Sequence, residues 1–191
     1  MEQFCEYSSI DRLVWRVNKY LGSAPVGFFN CMGHLMANAF SEFSFEEFPL
    51  EPLQALPEFK SLINLWDVTR GDAALPVWRD FLFDDLLPWI GRLAVTEFDG
   101  EEIHALLFGG DFVKLFGREM TGKPFLASLT PAEHDLFHGH YKKVIEGPCI
   151  GYACGEFSLY ENEPQQIAVI ELPLATKGGD FSHILHALGA K

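Results

Sequence analysis

Apolar positions along the chain change period twice. From Ile10 the spacing is helical: Ile10, Leu13, Val14, Val17 and Leu21 form one stripe. Ser8 and Asp11 stand ahead of it in capping spacing, and Gly22 offers a stop. A second stripe of Phe28, Met32, Leu35, Met36, Ala39, Phe40 and Phe43 predicts a helix over 27–43. Pro49, Pro52 and Pro57 then punctuate an acidic linker, and Leu62, Leu65 and Trp66 predict a third helix over 59–69. After Gly91 the period shortens to two. Residues 92–98 and 102–108 read as strands around Asp99-Gly100, a hairpin signal. Short helical turns are expected over 111–128. Thr130-Pro131-Ala132-Glu133 combines a capping box with proline at the first helical position and predicts a helix to Glu146, before Gly147-Pro148. Three further strands are expected over 149–160, 166–174 and 181–188, with turns at 161–164 and 177–180.

Two strands, short helices, then three strands make one antiparallel sheet with helices on one face, an α+β arrangement. The boundary falls near Glu58: residues 1–57 form a helical extension and linker, and 58–191 form the main domain. The extension's apolar stripes have little surface to cover within one small domain. They are expected to pack on each other and on a second copy, giving a homodimer.

Three stretches within this order resemble a known family. Leu65-Trp66-Asp67, Arg70-Gly71 and Leu75-Pro76 look like an opening helix of type L-W-x-x-x-R-G followed by Leu-Pro. Asp84-Asp85-Leu86-Leu87-Pro88-Trp89-Ile90 resembles a leucine-proline segment before the first strand. Leu115-Phe116-Gly117-Arg118-Glu119-Met120-Thr121-Gly122-Lys123 is similar to the signature F-G-R-[DE]-L-T-G. These are features of small bacterial PAS-domain proteins, and the likeness covers roughly the last two-thirds of the chain. Gly109-Gly110 departs from it, standing where relatives often have Gly-Thr. The resemblance implies a PAS fold with a five-stranded antiparallel sheet. It also implies a sensor or regulatory role, exercised by binding a small ligand or a protein partner such as a signalling kinase. The ligand cavity of such domains lies between sheet and short helices. Here its aromatic wall is expected from Phe108, Phe112, Phe116, Phe125, Phe137, Tyr141 and Tyr152.

Composition narrows this picture. The 191 residues carry a net charge of −13, which disfavours phosphate backbones and anionic membranes as partners. The apolar stretch 24–40 contains Asn30, His34 and Asn38 and is short for a membrane span. Four cysteines without a C-x-x-C pair, and no basic leader, suit a reduced cytoplasmic protein. The acidic pairs Glu46-Glu47 and Glu101-Glu102 read as solvated loops.

Candidate chemistry centres on His134, His138 and His140. His134 and His138 have the i, i+4 spacing of a metal pair, without a third ligand at fixed spacing. In projection His140 falls within the helix's apolar stripe, His134 at its edge and His138 toward water. His134, Asp135, Phe137 and Tyr141 also resemble the H-D-x-Y-x-x-x-Y segment of haem-binding oxygen-sensor PAS domains. A haem or metal redox sensor held by His134 or His140 is therefore the alternative reading. Cys149 and Cys154, on an expected strand, do not match the reactive-cysteine motif of flavin photosensors. The chain has neither a P-loop nor a G-x-S-x-G, so the expectation is a non-catalytic protein.

Overall fold

A computed structural model describes residues 40–50, 56–127, 129–157, 164–178 and 181–189. The helix expected over 8–21, most of the one over 27–43, and the dimer assigned to them lie outside these residues. The described chain forms one antiparallel sheet of six strands. They are β1 (Phe40–Phe48), β2 (Leu93–Phe98), β3 (Ile103–Phe108), β4 (Ile150–Phe157), β5 (Gln165–Ala175) and β6 (Phe181–Leu188), in spatial order β1-β4-β5-β6-β2-β3. The five expected strands are all present, and β1 is added beside β4. It replaces the end of the helix expected over 27–43 and lies ahead of the boundary placed at Glu58, so the sheet takes a strand from the segment assigned to the extension. Phe40 and Phe43 fit a helical period, yet Phe43, Phe45 and Glu47 also alternate as in a strand. Pairing with β4, Phe45 opposite Ala153 and Phe48 opposite Ile150, decides between the two.

Helical segments cover both faces of the sheet rather than the one expected. The outer face packs under α1 (Lys60–Arg70) and the segment after it, which includes α2 (Phe83–Leu86) and single turns at Trp78–Asp80 and Ile90–Arg92. Phe59, Leu62, Trp66, Trp78, Leu86 and Trp89 bury against Val95, Ile170, Leu172, Leu185 and Ala187. Trp66 Nε1 donates to the Pro173 carbonyl at 2.9 Å, which satisfies the one polar atom of that ring. The inner face packs under α3 (Gly110–Phe116) and α4 (Pro131–Glu146).

The expected local signals set up these layers. At the β2–β3 hairpin Gly100 has φ of +105°, and Asp99 Oδ1 accepts from the amides of Glu101 and Glu102. α4 opens with the full capping box: Thr130 accepts from the Glu133 amide, and Glu133 accepts from the Thr130 amide. The Phe116–Gly122 signature is structural. Gly117 closes α3 in the left-handed conformation, and the Glu119 carboxylate accepts from the Thr121 amide. From its last residue onward, Gly122 N donates to Ala105 O and Phe125 N to Ile103 O, which covers the open edge of β3. Gly109 caps α3 without a side-chain bond, and the departing Gly110 is the first residue inside the helix.

Candidate functional site: a Phe-walled cavity with a buried polar end

α4 lies across the inner face with Phe137, Tyr141, Val144 and Ile145 buried along one side. Between it, α3 and the sheet is a cavity lined by Phe43, Phe112, Phe116, Phe125, Phe137 and Tyr141, together with aliphatic side chains, Glu171 and His186. The space open to the centre of a water-sized sphere is about 30 Å³.

Of the residues expected in the wall, Phe112, Phe116, Phe125, Phe137 and Tyr141 line this space. Phe108 stands behind them, its ring centroid 5.4 Å from those of both Phe112 and Phe116. Tyr152 is misplaced by the sequence reading. It faces the outer layer, its ring centroid 6.4 Å from that of Phe59. Side chains alternate along a strand, and on β4 residues 151, 153 and 155 are the ones turned inward. A shift of one residue in the assumed register exchanges the faces.

The polar end joins five elements. His140 on α4 is 3% exposed and bonds through Nε2 to the Glu171 carboxylate on β5, itself 1% exposed. Its other nitrogen, Nδ1, lies 3.4 Å from Glu47 Oε1 on β1, where Lys143 Nζ also reaches, at 3.2 Å. His186 on β6 shares a 2.8 Å hydrogen bond with Thr96 Oγ1 on β2, and its Nδ1 lies 3.9 Å from Glu171 Oε1. Gly151 makes room for the central pair. A Cβ there would run into Glu171 Oε2 and stand 3.0 Å from His140 Nε2.

The environment sets these charges. Burial pushes His140 toward neutrality, but Glu171 and then Glu47 overcome it and hold the imidazole above its ordinary range. Burial raises Glu171, and His140 partly offsets this. His186, fully buried and beside the His140 charge, is pushed down to about 3 and is neutral at physiological pH. Burial and the Glu171 charge raise Tyr141 well above the ordinary phenol range. Glu47 is lowered, chiefly by Lys143.

The sequence reading missed Glu47, Thr96, Gly151, Glu171 and His186. Glu47 was read as part of a solvated pair, whereas it sits on β1 facing His140. Glu171 carried a usable signal: it interrupts the apolar run Ile167-Ala168-Val169-Ile170 and Leu172-Pro173-Leu174. A charge at such a position requires a partner.

The histidines do not converge as a haem or metal site would need. His134 does not line the cavity. It stacks on His138, ring centroids 5.7 Å apart, with Nδ1 3.6 Å from Asp135. Both ring nitrogens of His140 face carboxylates, so neither histidine offers an axial ligand to the cavity. Among the described residues, no group of three or more His, Cys, Asp or Glu is arranged to hold a metal ion.

A six-stranded antiparallel sheet with short helices and one long helix over its inner face defines a PAS fold. The PAS domain family model matches residues 55–189, and the chain belongs to that family. No curated protein matches. Two solved structures are similar in fold. One is an RNA-binding light-oxygen-voltage receptor, 11% identical, with a TM-score of 0.44 over 77% of this chain and 38% of the other. The second is the PAS domain of Bordetella pertussis BvgS, 15% identical, with a TM-score of 0.43 over 53% of this chain and 76% of the other. This chain thus spans under two-fifths of the length of the light-oxygen-voltage receptor. Among the described residues, no helix is long and apolar enough to cross a membrane.

Proposed function

We propose that this protein is a non-catalytic regulatory module. A small ligand or a partner protein biases its PAS domain between states, and the output passes to a separate effector such as a signalling kinase. The observation that carries this reading is the inner cavity, where a polar cluster contributed by five elements meets an aromatic wall. A change at that point reaches strands from the β1 edge of the sheet across to β2, next to the other edge. The small volume favours a partner protein, or a ligand of very few atoms, over a bulky cofactor. Exposed Val68 on α1, and Leu82 and Leu87 flanking α2, give the outer layer apolar surface for a partner.

Affinity capture of the full chain from its own host, with native mass spectrometry of the eluted protein, tests the reading. A recovered regulatory protein or retained small molecule is the expected result. A chain that recovers neither, and whose deletion leaves the cell unchanged, overturns it.

A further inference from the structure

We propose that His140, set between Glu171 on β5 and Glu47 on β1, makes this PAS domain respond to pH, giving α4 a second tie to β1 beside Lys143 while protonated and leaving Glu47 to Lys143 alone when the proton leaves. This rests on the regulatory reading above and names its signal as a proton.

Hydrogen-bond inventory carries the argument. An imidazolium has two N–H donors, and a neutral imidazole has one. Both His140 nitrogens face carboxylate oxygens, so with both carboxylates ionised only the charged ring satisfies both. After deprotonation one nitrogen turns a lone pair toward a carboxylate. The remaining N–H belongs on Nε2, because Glu171 is buried and has no other hydrogen bond among the described residues. An unpaired carboxylate there is costly. Glu47 is partly exposed and keeps Lys143, so it is the partner released. The proton passes to solvent.

The surroundings oppose any substitute. From α4, Tyr141 faces the cluster with its phenol held protonated, and among the described residues Lys143 reaches only Glu47. From β6, His186 is held neutral. The Phe45 ring of β1 lies against the imidazole, centroids 4.4 Å apart, and Gly151 of β4 leaves space for the pair alone. Cys149, ahead of β4, is held as a thiol by burial and by Glu47 and Glu171. No second cation stands beside Glu171 among the described residues, so the carboxylate depends on His140. The sign follows. His140 is raised in the fold, so its tie is complete below the ordinary histidine range and lost as pH rises through its folded value.

Ring-nitrogen NMR of the full chain, with amide exchange of 43–48 followed across pH, tests this. His140 should carry protons on both nitrogens at pH 6.5 and titrate above the histidines of the denatured chain. After correction for intrinsic rates, exchange in β1 should quicken through that same midpoint while β5 does not. Glu47→Gln, at the surface, should lower the midpoint without unfolding the domain, and His140→Gln should abolish the pH step in β1. A midpoint at or below that of the denatured chain, or a β1 profile that His140→Gln leaves unchanged, overturns the proposal. Such a flat result leaves the regulatory reading intact. A clear His140 step in a protein with no partner and no deletion phenotype sinks the regulatory reading instead.

Discussion

On the outer face of the sheet, Phe59, Trp66 and Trp89 lie over Ile170, Leu172 and Leu185, and the Trp66 N–H ends on a backbone carbonyl. On the inner face, a few ångströms away through the same strands, Phe residues surround a cavity, and Glu171, His140, His186 and Thr96 are buried beside it. The two faces draw on alternate residues of one strand: Ile170 and Leu172 face out, Glu171 faces in. Close packing of apolar groups favours a single state, because it has no charge to gain or lose. A buried ion pair is weak evidence for stability and better suited to a conditional contact. The difference separates a scaffold face from a face able to respond.

The largest expected effect lies on the scaffold side. Trp66→Ala should cost about 4 kcal/mol through the cavity it leaves, with a further loss from the orphaned Pro173 carbonyl. Urea denaturation measures this, and the pH dependence of what stability remains should keep its wild-type shape. An altered shape would break the division between the faces.

On the responsive side, His140→Leu should cost roughly 3 kcal/mol near neutral pH, because it strands the buried Glu171. Relative to wild type the loss should shrink as pH rises, since the wild type itself loses the His140 contribution there. A constant difference from pH 6 to pH 9 would show that His140 titrates in the fold as it does in the denatured chain.

Gly151→Ala should cost about 2 kcal/mol by crowding Glu171 and His140, and should lower the His140 midpoint. A stability loss without a midpoint change would mean that the added methyl displaces the strand rather than the pair.

A further effect is on the acid side. His186 has its folded value depressed to about 3, so its contribution is complete above the ordinary histidine range and is lost as pH falls from there toward about 3. His186→Phe should therefore flatten the decline in denaturation midpoint between pH 6.5 and pH 4. An unchanged acid limb would assign that decline to other groups.

Much of this molecule was legible before folding. The Asp99-Gly100 turn, the Thr130–Glu133 capping box and the order of the strands depend on residues within a few positions of one another, and local backbone chemistry decides them. Aromatic residues on the segments before and after α4's cap reached the inner wall for the same reason: their helices present one face to one sheet. What depended on long-range pairing was not legible. β1 is a strand because β4 offers it an edge more than a hundred residues away in sequence. Tyr152 turned outward because the register of β4 chose its face. Glu47 and His140, 93 residues apart, meet only after that strand docks, and Glu171 joins them across the sheet. Short-range patterns state which elements form. Only their packing decides which buried charges share a proton, because desolvation and Coulomb attraction act through space and not along the chain.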